Sequence, residues 1–297
     1  MRGCVCQLSD PSVVPNRPSN ASPLERFMAR LAIISDIHGN IVAFDRVIAD
    51  MRRRSIDMVV CLGDIVGYGP DPKECLDAAR QLCRTVVAGN HERGVLEPAL
   101  PVQWSPLARA GIEHARAQLG SADLAYLAGL PSTFTVGGEV FGVHDSPEPS
   151  EHGMNYLRNR TDAATAFRWV HHSVALVGHT HVPACFATIA DQDGEVAADD
   201  IDVSPIARRM LGPNQENRGA FVGSATFELP RFGRAIVNPG SVGQPRDGDN
   251  RASYAILDLE EFTVEFRRVT YDLARAQLRS DAAVLPSAAA ARLALGA

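Results

Sequence analysis

Five short segments of this 297-residue chain carry side chains that bind metals through oxygen and nitrogen: Asp36-Ile37-His38-Gly39-Asn40, Gly63-Asp64, Gly89-Asn90-His91-Glu92, Val143-His144-Asp145 and Gly178-His179-Thr180-His181. Each is a weak signal alone, because a single histidine or aspartate at a strand end is more often simply hydrogen-bonded. Together they hold His38, His91, His144, His179 and His181, five of the nine histidines. Imidazole, carboxylate and amide donors without a thiolate suit Mn, Fe, Zn or Ni and argue against copper(I) or an iron–sulfur centre. On an extended backbone residues i and i+2 face the same side, so Asp36 with His38, and His179 with His181, are each expected to aim at one point. Glycines at 39, 63, 89 and 178 permit tight turns and close backbone approach beside those donors. His114, His152, His171 and His172 fall outside the pattern and are read as structural or solvent-facing.

The elements that must position these donors follow from apolar periodicity. Folded sequence is expected to begin near Arg30 with the strand Leu31-Ala-Ile-Ile34, followed by a helix whose stripe is Phe44, Val47, Ile48 and Met51. A second strand lies at Met58–Leu62, and Asp71-Pro72-Lys73-Glu74 supplies an N-cap, a proline at N1 and a glutamate at N3 for the next helix. A third strand follows at Thr85 to Ala88. This β-α-β-α-β order predicts a parallel sheet with its ligand at the carboxyl ends of the strands, where three of the five segments fall.

Residues 105–130 read as helical. After Pro131 strands are expected at 132–136, 139–144, 174–178, 184–189, 234–238, 252–258 and 262–268, with one more helix at Asp162 to Val170. The fold class is α/β, a four-layer αββα sandwich of two mixed β-sheets flanked by helices. Residues 1–29, with four prolines and no apolar signal-peptide core, are expected to be a disordered N-terminal extension. Residues 30–280 form the main domain. Polar sequence at 190–218 is read as an inserted hairpin tip and surface loop beginning at the Asp193-Gly194 turn, and the Ala-rich tail 281–297 is compatible with a short helix.

The composition sets limits on function. Twenty-nine Lys and Arg against 35 Asp and Glu give a formal charge of −6, unlike a basic nucleic-acid binder, so no extended nucleic-acid surface is expected. Hydrophobic residues at 45% and charged residues at 22% match a soluble domain with a real core. The longest stretch free of Asp, Glu, Lys and Arg, Trp169 to Ala190, contains four histidines and cannot be a membrane span. The six cysteines, at 4, 6, 61, 75, 83 and 185, lack zinc-hook spacing and read as reduced thiols, which with the absence of a signal segment points to the cytoplasm.

The order D-x-H, GD, GNH, H, GHTH resembles the calcineurin-like metallophosphoesterases from about Arg30 to Val269. Within that superfamily GDIVGYGP (63–70), VHDSP (143–147), GHTHVP (178–183) and NPGSVGQPRDGD (238–249) look like the compact bacterial and archaeal phosphodiesterase branch. Ile65-Val66-Gly67 stands where eukaryotic-type serine/threonine phosphatases carry the rest of GDxVDRG. The resemblance implies that Asp36, His38 and His181 hold one divalent ion, that Asn90, His144 and His179 hold a second, that Asp64 bridges them, and that His91 stays free. Mn²⁺ is the expected metal, with Fe, Zn or Ni compatible.

Two such ions can activate a bridging hydroxide and clamp phosphate oxygens for in-line attack, and a free histidine next to Asn90 can assist the leaving group. The expected function is therefore dinuclear hydrolysis of a small phosphodiester or phosphomonoester, with His91 as the catalytic residue. Tyr68, Arg93 and Arg246 are candidate substrate-binding residues, the arginines because a guanidinium can grip two phosphate oxygens. Asn238-Pro239-Gly240-Ser241 reads as a supporting turn. The alternatives are a phosphomonoesterase or serine/threonine-type protein phosphatase, and a non-catalytic scaffold on the same fold. A metallo-β-lactamase-type hydrolase lacks its HxHxDH segment here. Neither substrate nor oligomeric state is encoded in these signals, although a homo-oligomer is allowed.

Overall fold

The computed structural model describes residues 30–100, 102–149, 155–189, 196–203 and 224–297. The expected extension 1–29, the Asp193-Gly194 turn, His152 and most of the 190–218 insertion lie outside the described residues. Three strands, β1 (Arg30–Ile34), β2 (Met58–Cys61) and β3 (Thr85–Val86), run parallel as the α/β pattern predicts. They alternate with helices α1 (Ile41–Met51) and α2 (Pro72–Leu82). Helix α3 (Asn90–Leu96) opens at the Asn-His-Glu segment, followed by α4 (Pro106–Gln118) and α5 (Ser121–Ala128). The stretch 105–130, expected to be helical, forms these last two helices. The break falls at Leu119-Gly120, where Leu119 turns extended and Asp123 caps the new helix by accepting from Gly120 N at 3.1 Å.

The second sheet is built from β4 (Thr133–Val136), β5 (Val140–Val143), β6 (Val174–Leu176), β7 (Pro183–Thr188), a two-residue β8 (Asp202–Val203) and, after β9 (Ser224–Glu228), β10 (Arg234–Pro239). Helix α6 (Arg160–Phe167) joins β5 to β6. Strands β11 (Ala252–Asp258) and β12 (Thr263–Val269) return to the first sheet, and α7 (Leu273–Ala282) and α8 (Ser287–Leu295) close the chain. The strand orders are β3-β2-β1-β11-β12-β9 and β4-β5-β6-β10-β7-β8, and both sheets are mixed. Strand β9 had no expectation, because Ser-Ala-Thr-Phe-Glu reads as surface; it adds to the first sheet as an edge along β12.

The period-2 alternation of each strand explains the layering. Leu31 and Ile33 of β1, Val60 of β2 and Leu257 of β11 point between the sheets, against Leu176 of β6 and Val237 of β10. Their neighbours Ala32, Ile34, Val59 and Cys61 face the other way, onto Phe44, Val47, Leu76 and Ala79 of α1 and α2. On the far side Ala175, Phe186 and Ile236 pack on Ala163, Ala166 and Phe167 of α6. Strands apolar on both faces thus give the expected four-layer αββα sandwich.

Two local details add to the sequence reading. Asp71 holds the N-cap position of α2 but makes no capping bond; its carboxylate instead takes Arg279 of α7, with Nε at 2.8 Å. The Ala-rich tail is also part of the packed structure, since α8 buries Ala289, Ala290 and Leu293. Cys61, Cys75, Cys83 and Cys185 are free thiols, and no helix among the described residues is long and apolar enough to cross a membrane.

Candidate metal centre

All seven expected donors and His91 are carried at the carboxyl ends of parallel strands. Asp36 and His38 follow β1, Asp64 follows β2, and Asn90 and His91 open α3 just after β3. From the second sheet, His144 follows β5, and His179 and His181 follow β6. Facing sheets bring these ends together, and all eight residues are buried.

The convergence is achieved differently from the extended-backbone expectation. Asp36, His38, Asp64, Tyr68, His179 and His181 all have positive φ, between 48° and 64°. Such values are uncommon for side-chain-bearing residues and cluster where surrounding structure holds the chain against its preference. Here the restraint is a mesh of backbone bonds: Asp36 N to Gly63 O at 3.0 Å, His38 N to Asp64 O at 2.9 Å, and Gly39 N to Ile65 O at 2.8 Å. From the second sheet, His179 N donates to Asp36 Oδ2 at 3.1 Å. Two glycines are required by close approach: a Cβ on Gly89 would stand 2.1 Å from Asp64 Oδ1, and one on Gly67 would stand 2.0 Å from His91 Nδ1.

Three imidazoles have their Nδ1 atoms on backbone carbonyls: His38 on Val66 O (3.1 Å), His144 on Leu62 O (2.7 Å) and His181 on Gln244 O (2.6 Å). A carbonyl only accepts, so Nδ1 carries a proton in each, and in His38 and His181, which burial keeps neutral, Nε2 presents a lone pair to the centre. His38 Nε2 and His181 Nε2 then face each other at 3.1 Å, with Asp36 Oδ1 at 3.7 and 3.3 Å from them. Three lone-pair donors at such spacing repel one another unless a cation lies among them, and ligands about 2.1 Å from one ion sit roughly 3.0–3.4 Å apart. A second group is formed by Asp64, His144 and His179, with Asp64 Oδ2 3.3 Å from His144 Nε2 and Asn90 Oδ1 3.1 Å from the same nitrogen. Asp36 Oδ1 and His179 Nε2 are buried without any hydrogen-bond partner, as metal-directed atoms are. The residues fit divalent ions.

Electrostatics agree. Burial alone would raise the carboxyl of Asp36, but the neighbouring His181 outweighs it and holds the group below the usual carboxylate range. Asp64 behaves likewise, burial being overcome by His144 and His91. Burial pushes His179 down to about 3 and His91 to about 4, and it lowers His38 and His181 as well. Only His144, despite burial, is lifted, to about 10, by the Asp64 carboxylate beside it. Two ionised carboxylates and mostly neutral imidazoles make an anionic pocket that favours cations.

His91 reaches Asp64 through its Nε2 at 4.0 Å, and its Nδ1 has no partner. Its ring is held between Tyr68 (4.6 Å), His38 (4.6 Å) and Trp104 (5.0 Å). Tyr68 is therefore at the centre, edge-on to His38 at 4.7 Å. Arg246 lies with its guanidinium 5.6 Å over the Tyr68 ring, its backbone N on His181 O, and its Nε buried without a partner. Arg93, two residues on from His91 and thus on the other side of the helix, directs Nη1 onto Ala88 O at 3.0 Å. The Asn238 turn supports the centre: Asn238 Nδ2 donates to Gly178 O at 2.6 Å, and Ser241 Oγ donates to Asp36 O at 2.7 Å. His114 bonds Pro70 O, and His172 stacks on Phe141.

Two residues were missed from sequence. Glu92 is fully buried and accepts from Asp64 N (2.7 Å), Ile65 N (2.7 Å), Val66 N (3.2 Å) and Gly89 N (2.8 Å), tying the β2 loop to the start of α3. Burial, and then the Asp64 charge, push its carboxyl up to about 7. Its place in Gly-Asn-His-Glu was a signal that could have been used. Tyr156, stacked on His179 with centroids 4.2 Å apart, follows no motif.

Comparison with known proteins is consistent with this geometry. The model of the calcineurin-like phosphoesterase family matches residues 29–203. An uncharacterized protein of Methanocaldococcus jannaschii is 30% identical over 269 residues, covering 90% of this chain and 98% of that one. The crystal structure of a metallophosphoesterase from Sphaerobacter thermophilus is similar at 34% identity and a TM-score of 0.73, over 91% of this chain and 99% of that one. A hypothetical protein of Pyrococcus horikoshii shares the fold at 19% identity and a TM-score of 0.67, over 90% and 98% of the two chains. The chain belongs to the calcineurin-like phosphoesterase family.

Proposed function

We propose that this protein is a dinuclear metal-dependent phosphodiesterase acting on small phosphate esters, with Mn²⁺ as its working metal. The observation that carries the reading is the pair of donor groups that meet at Asp64: Asp36, His38 and His181 on one side, Asn90, His144 and His179 on the other. These residues would hold two divalent ions, which when bound would supply positive charge to acidify water and clamp phosphate oxygens. The chain's own residues do the rest. Asp64, buried and ionised, is the shared carboxylate, and His91 N donates to its Oδ1 at 2.8 Å, which fixes its orientation.

His91 assists the departing oxygen. Its ring is kept neutral by burial before substrate arrives, and an anionic phosphate beside it favours the protonated form that can give a proton to the leaving alkoxide. Arg246, with an unpartnered Nε, is placed to meet a phosphate oxygen, and Tyr68 walls the cleft. The test is hydrolysis of bis-p-nitrophenyl phosphate against p-nitrophenyl phosphate by the Mn²⁺-loaded protein, with Asp64→Asn as blank. Preference for the diester supports the reading. Preference for the monoester replaces it with a phosphatase, and no turnover of either, by a protein that binds no metal, would leave a scaffold.

A further inference from the structure

Tyr156 stands in the segment between β5 and α6, anchored where Asn155 N donates to Asp145 Oδ2 at 3.3 Å. Its ring lies nearly flat on the imidazole of His179, 29° between planes. His179 is 4% exposed, whereas Tyr156 is 41% exposed. One surface of the tyrosine therefore covers a member of the metal cluster while much of the rest meets water. Across the cluster Tyr68 packs on His38 and His91, so the centre is flanked by two tyrosine rings. Arg246 lies over Tyr68.

A further arginine completes the picture. The guanidinium of Arg158 is 5.6 Å from the Tyr156 centroid, on a side chain that is 66% exposed and whose Nε lies 3.6 Å from Asp162 Oδ2. A large ring left half in water forgoes hydrophobic stabilisation that a planar ligand group laid on it would recover. An arginine poised over the same ring can cover such a group by cation–π contact.

Resting on the phosphoesterase reading above, we propose that Tyr156 is a specificity residue for phosphate esters of the nucleotide class, its exposed surface stacking on the base while the phosphate lies at the Asp64 cluster. Stacking is tolerant of base identity, so the device separates esters that carry a base from those that do not, rather than one base from another.

Calorimetric titration of the Mn²⁺-loaded protein with the non-hydrolysable methylene phosphonate analogues of AMP and of ribose 5-phosphate isolates the base. Wild type is expected to bind the AMP analogue roughly tenfold more tightly. Tyr156→Phe and Tyr156→Trp keep that ratio, and Tyr156→Leu brings it to within about twofold. Equal affinities in wild type, an unchanged ratio in Tyr156→Leu, or a lost ratio in Tyr156→Trp each overturn the assignment. Binding of ribose 5-phosphate without discrimination sinks the stacking role and leaves the phosphoesterase reading intact. A metal-loaded protein that binds neither analogue sinks the stacking assignment, and turnover of bis-p-nitrophenyl phosphate by the same preparation decides the phosphoesterase reading separately.

Discussion

His38 and His181 turn their Nε2 atoms to within 3.1 Å of each other although both rings have their Nδ1 atoms on backbone carbonyls. A divalent cation between two apposed lone pairs relieves their repulsion, so metal binding should stabilise the folded state, increasingly as the free metal concentration rises above its Kd. Mn²⁺ is expected to raise the melting temperature of wild type by several degrees and to bind at two ions per chain by elemental analysis. His181→Ala should retain one ion and lose most of the shift. Asp64→Asn should lose both metal occupancy and turnover, and two tightly held ions in that variant would refute the shared-carboxylate role.

His91 is held by aromatic neighbours and by the absence of a side chain at Gly67. His91→Ala is expected to keep both ions while kcat falls by roughly 10²–10⁴, the usual worth of acid–base assistance. Gly67→Ala should reproduce part of that loss without touching a single reacting group, since its Cβ would stand 2.0 Å from His91 Nδ1 and must displace the ring. An unchanged kcat in His91→Ala removes the residue from the chemistry; an unchanged kcat in Gly67→Ala shows that ring placement is not limiting.

Glu92 should matter to stability as much as to catalysis. Its carboxylate serves four buried backbone N–H groups, and Glu92→Ala leaves them without a protein acceptor. Each orphaned donor costs about 1–3 kcal/mol before water or local relaxation intervenes. A net loss of about 3 kcal/mol would lower the melting temperature by roughly 6–12 °C in a chain of this size. Because those donors include Asp64 N, metal affinity should fall with it. A melt within two degrees of wild type would mean that the β2 loop is held by other contacts.

The layers of the fold and the cluster of candidate donors at the sheet edges were legible because both rest on short-range chemistry. Runs such as Leu31-Ala-Ile-Ile34 reveal a strand buried on both faces, and Asp, His and Asn after such runs reveal a site at the sheet's edge. What was hidden depends on distant partners. The positive φ of Asp36 and His38 is set by bonds to the loop after β2, and nothing in Asp-Ile-His announces it. Strand β9 exists because β12 offers an edge, and Tyr156 reaches the centre only because β6 delivers His179 beneath it. Arg93, equally suited to phosphate by type, directs Nη1 onto Ala88 O, a partner that nothing in its neighbouring sequence announces.

A carboxylate remote from the candidate metal centre, Asp50, contributes to the acid sensitivity of the fold. Asp50 at the end of α1 is buried and accepts from Tyr254 OH at 2.7 Å, Arg53 at 2.9 Å, Arg267 at 3.0 Å and Arg54 at 3.1 Å, joining the helix to β11 and β12. Burial by itself would raise its pKa, but the tyrosine and arginine bonds prevail and hold it well below the ordinary value of 3.8. A carboxylate depressed in the folded state contributes stability that is fully present above its unfolded pKa and is lost as pH falls toward the folded one. For an unfolded value near 3.9, about 1.3 kcal/mol of that contribution is gone by pH 3. Asp50→Asn keeps the shape but not the charge and should cost about 1.5–3 kcal/mol at pH 7. Urea midpoints for the two proteins should therefore differ at pH 7 and draw together at pH 3. A gap that stays constant between those pH values would show that the charge of Asp50 contributes nothing beyond its hydrogen bonds.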